Sequence, residues 1–232
     1  MSNPRICISN LSIEVTRQCQ LECSHCLRGD AEPINIQHKF IDELFSEIEY
    51  IDNLTITGGE PFLNMRAIRY ITQFIKSKKV GVNSFYIATN GLLFEKNNTF
   101  VRKTLTELID LWMAVYDKEM SIIEISKDKF HGYGCYISPD NYLYGLAFVN
   151  DRGETLNEYG IIPEGRGINF TEITQRAPLK YKREPEYSDD HIALTAKGGI
   201  CWDCDMSYKN EDKYAIPIKQ AIALMRKVIE EE

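Results

Sequence analysis

Two rhythms of apolar residues alternate along the chain. Short β-rich runs occur at "NLSIEVT" (10–16), "NLTITG" (53–58), "SFYIATN" (84–90) and "SIIEIS" (121–126). Between them the apolar positions recur at helical spacing. Residues 38–51 carry the stripe Ile41, Leu44, Phe45, Ile48 and Ile51. Residues 64–78 carry Ile68, Ile71 and Ile75 with Phe74 beside them, and 98–116 carry Val101, Leu105, Leu108, Ile109 and Trp112. Strands separated by helices must cross over, so the pattern predicts a parallel sheet in an α/β fold.

Beyond residue 130 the rhythm weakens. The pattern predicts a short helix over 139–149, a strand in "NEYGIIPEG" (157–165) and irregular chain over 168–190. A hairpin follows in "HIALTAKGGICWDC" (191–204), then a closing helix in "AIPIKQAIALMRKVIEEE". Five or six strand–helix units result. A full eight-unit barrel takes about 250 residues, so 232 residues suit a partial (β/α)6 TIM-type barrel with a C-terminal hairpin and helix. The expected organisation is one domain, 1–232. Its barrel core is 1–167 with a loop at 17–30, and 168–232 form a substrate-side loop, the hairpin and the helix.

A net charge of −7 argues against a protein that grips nucleic acid through a broad basic surface. "QRAPLKYKRE" (175–184) gathers four basic residues and is read as a solvated loop. The start "MSNPRICISN" has no signal-peptide or lipidation pattern, and no window reaches the length of a membrane span, so a cytoplasmic protein off the membrane is expected. Seven cysteines in a reducing compartment are then metal ligands, redox groups or buried thiols before they are disulfides.

The chemistry-bearing motifs each follow a predicted strand. "RQCQLECSHCLRGD" (17–30) follows the first, "GGEP" (58–61) the second, "TNG" (89–91) ends the third and "SKDKFH" (126–131) the fourth. Parallel α/β folds bind ligands at the carboxyl ends of their strands, so four motifs there make a site. Cys19, Cys23 and Cys26 stand at C-x3-C-x2-C spacing. Structural zinc wants four ligands, which Cys201 or Cys204 would have to complete. A thiol-exchange pair leaves Cys19 unexplained, and a c-type haem needs a histidine where Leu27 stands. A four-iron cluster on three thiolates keeps its fourth iron open for a ligand.

In their order, these motifs resemble the radical S-adenosylmethionine (radical SAM) superfamily over residues 11–131. The resemblance implies a [4Fe–4S] cluster on Cys19, Cys23 and Cys26 and S-adenosylmethionine on the open iron. It further implies a 5′-deoxyadenosyl radical made with an electron from a flavodoxin- or ferredoxin-type donor protein. The cofactor residues it suggests are His25, stacking near the adenine, and Gly58, Gly59, Glu60 and Pro61, where close backbone approach is needed. Ser126 falls where the ribose or carboxylate is often reached. Asn90 either bonds the cofactor or holds the turn before Gly91. Asp128 and His131 belong to the site or cap a helix, and Arg166 pairs with a carboxylate or sits in a solvated turn.

Cys201 and Cys204 are either a second metal site, with Cys7 and Cys135 in reserve, or substrate-side thiols, or partly buried cysteines that bind nothing. Asp203 and Asp205 beside them are expected to face the substrate cavity. No winged helix, cobalamin domain or RNA-binding module is visible, which favours a small-molecule or short-peptide substrate. A ribosomally made peptide is preferred over a nucleotide-like metabolite or a glycyl-radical partner. The rival from another class is a zinc-stabilised binding module. No pattern bears on oligomeric state.

Overall fold

A computed structural model describes residues 6–77, 79–93, 98–127, 147–151, 162–169, 191–203 and 205–231. Eight strands form one sheet: β1 (Ile6–Thr16), β2 (Ile48–Gly58), β3 (Gly81–Thr89), β4 (Ile122–Lys127), β5 (Ala147–Asp151), β6 (His191–Leu194), β7 (Gly199–Cys201) and β8 (Ile216–Pro217). Among the described residues five α-helices accompany them: α1 (His38–Phe45), α2 (Met65–Lys76), α3 (Asn98–Ala114), α4 (Tyr208–Tyr214) and α5 (Ile218–Glu231). The strand order is β5-β4-β3-β2-β1-β6-β7-β8. Neighbours from β5 to β6 run parallel, and β7 and β8 are antiparallel additions. The expected α/β class with a mostly parallel sheet is observed.

The sixth parallel strand is placed by pairing rather than by chain order. Asn10 to Ile13 of β1 pair with His191 to Leu194, so β6 flanks β1 on the side away from β2. The predicted hairpin is present, with Ala193 opposite Cys201, but it is also part of the main sheet.

Three predicted spans are corrected. The helix over 38–51 ends at Phe45, and Ile48 and Ile51 belong to β2. Their spacing of three mimics a helix because a bulge interrupts the ladder: Ile6 pairs with Ile48 but Cys7 with Tyr50, which leaves Glu49 over. Both isoleucines can therefore enter one core. The helix expected over 139–149 gives way at its end to β5, because Ala147–Asp151 complete a ladder along the open edge of β4; residues 139–146 lie outside the described residues. The strand expected over 157–165 does not extend through 162–165. There Glu164 N–H turns back to Ile162 O, and Gly165 takes φ +53° at the start of the 3-10 turn Gly165–Asn169.

The core lies on one face of the sheet. Leu11, Ile13 and Val15 of β1, Leu54 and Ile56 of β2, Phe85 and Ile87 of β3, and Ile123 and Ile125 of β4 pack there with Ile41 and Leu44 of α1, Ile68, Ile71 and Ile75 of α2, and Ile222 of α5. Period-two alternation turns the residues between them to the opposite face. No helix among the described residues is long and apolar enough to cross a membrane.

Candidate active site

A cavity of about 560 Å³ opens at the carboxyl ends of the parallel strands, a size suited to a small ligand. Cys19, Cys23, His25 and Cys26 line it, together with Gly58, Gly59, Asn90, Ser126 and Arg166. Thus nine of the residues suggested by the sequence share one wall system. Glu60 and Pro61 are buried but do not line it. Asp203 and Asp205 do line it. Asp128, His131, Cys135 and Cys204 lie outside the described residues.

The cysteine loop is bound to the end of β2 by its backbone. Gly59 N–H donates to Thr16 O and Glu60 N–H to Gln18 O, both at 2.8 Å. Glycine is required for this approach. A Cβ on Gly58 would stand 2.4 Å from Thr16 O, and one on Gly59 would stand 2.4 Å from Gln18 O. The crowding neighbour at both positions is the chain's own backbone, so these glycines seat the loop as well as wall the cavity.

Glu60 works beneath the wall. Only 1% exposed, its carboxylate accepts from Phe62 N–H at 3.1 Å, Thr89 Oγ1 at 2.8 Å and Asn90 N–H at 2.8 Å. It ties the turn after β2 to the turn after β3. Asn90 holds the turn: its Oδ1 accepts from Leu92 N–H and from Gln20 Nε2, while its Nδ2 lies 3.8 Å from Cys19 Sγ. Leu21 N–H also points at Cys19 Sγ, at 3.4 Å. Burial pushes the Cys19 thiol up, against the Leu21 N–H, which favours the thiolate.

Arg166 N–H donates to Cys26 O at 2.9 Å. A Cβ on Gly165 would meet Leu27 O at 2.3 Å, so this turn is pressed onto the loop. The Arg166 side chain lies 3.6 Å from the exposed Asp30, and its buried Nε has no hydrogen-bond partner among the described residues. Cys201 is not in the cavity wall. Its thiol packs with Ala193 and Met206 near Glu211 O, and burial pushes it up to about 12.

Sequence reasoning missed two parts of the site. The first is the polar floor, formed by Ser12, Thr55, Thr57, Tyr86 and His191. Ser12 Oγ and His191 Nε2 are 3.1 Å apart, and Tyr86 donates to Glu124 at 2.7 Å. The alternation of polar with apolar residues in each strand was the available signal. The second is a buried ionic cluster at the root of the loop. Arg17, fully buried, pairs with Glu14, Glu32, Glu211 and Asp212, and lies over the Tyr208 ring at 4.5 Å. Burial opposes its charge, but Glu14, Asp212 and Glu211 outweigh that and raise its pKa. Tyr208 also lines the cavity; burial and then Glu14 raise its phenol, which keeps it a donor.

The residues present fit an iron–sulfur cluster. Three thiols line one cavity, two N–H groups face Cys19 Sγ, and the wall holds an unpartnered buried Arg166 Nε. Among the described residues, no three His, Cys, Asp or Glu side chains are gathered for a single metal ion. A four-iron cube takes its thiolates on separate irons.

Residues 13–128 match the family model described as "4Fe-4S single cluster domain". The chain is 31% identical over 96 residues to the GTP 3',8-cyclase of Peptoclostridium acidaminophilum, covering 38% of this chain and 29% of that protein. It is 26% identical over 128 residues to the GTP 3',8-cyclase of Chlorobaculum tepidum, covering 53% and 38%. The chain therefore spans well under half the length of these curated relatives. Among solved structures, native anSMEcpe with bound AdoMet and Cp18Cys peptide aligns with a TM-score of 0.37 and 13% identity, over 55% of this chain and 33% of that one.

Proposed function

The chain belongs to the 4Fe–4S single-cluster domain family, within the radical SAM superfamily, and on that premise we propose that it is an enzyme abstracting hydrogen from a small polar substrate. Cys19, Cys23 and Cys26 would hold the [4Fe–4S] cluster, with S-adenosylmethionine in the cavity beside them. When bound, the cluster supplies the electron for reductive cleavage of S-adenosylmethionine to a 5′-deoxyadenosyl radical, that electron coming from a flavodoxin- or ferredoxin-type donor. The juxtaposition of the three thiols with "GGEP" and "TNG" at one cavity carries this reading.

The protein's own groups have definable tasks. Leu21 N–H and Asn90 Nδ2 face Cys19 Sγ, and N–H groups at a ligating sulfur favour the thiolate. Glu60 holds Asn90 in place through the Asn90 N–H. Arg166 and His25 bring cationic and aromatic character to the wall beside Cys26. Ser12, Thr55, Thr57, Tyr86 and His191 offer hydroxyl and imidazole groups on the floor, which suits a hydrogen-bonding molecule better than the apolar side chains of a peptide. A nucleotide-like metabolite fits that floor, in keeping with the names of the relatives.

Anaerobic reconstitution tests the proposal. Under reductant, the iron-loaded chain is expected to convert S-adenosylmethionine to 5′-deoxyadenosine. Cys23→Ala is expected to abolish this conversion and Cys201→Ala to preserve it. Stoichiometric zinc without iron uptake would refute the proposal, and equal loss in both variants would show that the cluster is misassigned.

A further inference from the structure

The cysteine loop carries an arginine at each flank, Arg17 two residues before Cys19 and Arg28 two residues after Cys26. Both reach one carboxylate. Arg17 Nη2 lies 2.9 Å from Glu211 Oε2, and Arg28 Nη1 pairs with Glu211 Oε1. Glu211 is 2% exposed and sits in α4, 194 residues from Arg17 in the chain. Arg28 is further tied to this region by its Nη1 on Met206 O at 3.0 Å and its carbonyl accepting Tyr208 N–H at 3.0 Å.

We propose that Glu211 is a positioning residue: a clasp whose two oxygens draw the two ends of the cysteine loop together and fix the spacing of the three thiols. A loop that leaves and re-enters the fold is ordered by closing its ends, and a carboxylate bridging two guanidinium groups does so with directional, charge-assisted bonds. Burial removes the solvent that would screen them. Arg17 is also held by Glu14, Glu32 and Asp212, so its end is fixed independently. Arg28 pairs with Glu211 on the other side of the loop, so the carboxylate bridges the end after Cys26 to the end before Cys19. The element that supplies Glu211 also sets Tyr208 in the cavity wall, so the C-terminal region, outside the matched family segment, completes the loop.

The proposal rests on the cluster reading only for its consequence; the clasp itself is testable before any iron is bound. Hydrogen exchange by mass spectrometry is measured on the full unloaded chain, wild type and Glu211→Gln, with Glu47→Gln, which removes the remote charge facing Arg226, as control. Amides over 23–30 are expected to exchange about tenfold faster in Glu211→Gln, while β3 and α2 keep their rates. Glu47→Gln is expected to leave 23–30 unchanged. Iron-loaded Glu211→Gln is expected to lose iron to a chelator about fivefold faster and to give a broadened electron paramagnetic resonance signal when reduced. Unchanged exchange over 23–30 overturns the clasp, whatever the iron result. Faster exchange in a chain whose wild type binds no iron upholds the clasp and sinks the cluster reading. If Glu211→Gln unfolds the chain throughout, Arg28→Gln is measured in the same way, and a wild-type rate over 23–30 overturns the proposal.

Discussion

Replacing Glu60 by glutamine keeps the shape of the side chain and removes one acceptor. In the native site three donors converge on the carboxylate: Phe62 N–H and Thr89 Oγ1 on one oxygen, Asn90 N–H on the other. The amide can keep its oxygen toward Phe62 and Thr89, which sets its NH2 against Asn90 N–H. The reverse orientation loses two bonds instead of one. In that orientation Thr89 Oγ1, which accepts from Gly91 N–H at 3.0 Å, has to turn its hydroxyl proton to a new partner before its second lone pair can accept from the NH2. A bond to a charged acceptor is worth roughly 1.5–3 kcal/mol, and a buried donor left unmatched costs about 1–3 kcal/mol. Since the two terms overlap, the expected loss is about 2–4 kcal/mol. Urea denaturation of the unloaded chain, followed by circular dichroism, measures it. Because Asn90 is the residue released, 5′-deoxyadenosine formation should fall further in Glu60→Gln than in Thr72→Ala, which perturbs only a buried helix hydroxyl bonded to Ile68 O. A Glu60→Gln variant within about 0.5 kcal/mol of wild type would refute the view that this carboxylate ties the two turns.

Gly59→Ala is expected to cost about 1–3 kcal/mol by overpacking and to lower iron uptake, because its Cβ meets backbone at Gln18 O, Gln18 C and Arg17 O, at 2.4, 2.8 and 3.0 Å. Gly81→Ala meets the Tyr50 side chain at 3.0 Å, which can move, and should be tolerated; denaturation and iron content of the pair check this. Cys201, raised by burial from 9.0 to about 12, should resist iodoacetamide at pH 8 while the exposed Cys7 reacts, as read by mass spectrometry. The sign follows from the fold favouring the protonated thiol: stability is untouched below the ordinary thiol value and declines as pH rises from 9.0 toward 12.

The parts legible in sequence are those set by short-range spacing. The stripe Ile68, Ile71 and Ile75 predicted α2, and Asn64 caps it by accepting from Ala67 N–H. Cys19, Cys23 and Cys26 announced themselves within eight residues, and "GGEP" and "TNG" marked turns of which Gly58, Gly59, Thr89 and Asn90 line the cavity. What stayed hidden depends on pairings of long range. The bulge at Glu49 is invisible until β1 and β2 are in register. The hairpin near residue 200 gave no sign that β6 would pair with β1. Arg17 and Glu211 carry no local signal for each other, since a buried ion pair is specified by the fold that desolvates both partners.

The two faces of the sheet divide the protein's obligations in a way that bears on its chemistry. Barrel interiors are ordinarily filled by layers of branched apolar side chains. Here the branched residues Leu11, Ile13, Leu54, Ile56 and Ile87 lie in the core, and Ser12, Thr55, Thr57 and Tyr86, which alternate with them, line the cavity. A polar floor adds little apolar burial, so the helix-covered face must supply most of the stability. The floor is held instead by local bonds, Ser12 to His191 and Tyr86 to Glu124, which fix side-chain direction at modest cost. Ser12 and Thr55 are register partners, as are Thr55 and Tyr86, so their groups form a row across three strands in the wall of the cavity that the cysteines also line. A substrate of the proposed enzyme lying on that row would meet its hydrogen-bonding groups. Substitutions such as Thr55→Val, which keep shape and remove a hydroxyl, should therefore alter substrate binding while leaving S-adenosylmethionine cleavage and folding nearly unchanged. This separation is open to a two-faced pattern and closed to a barrel packed with apolar residues on both sides.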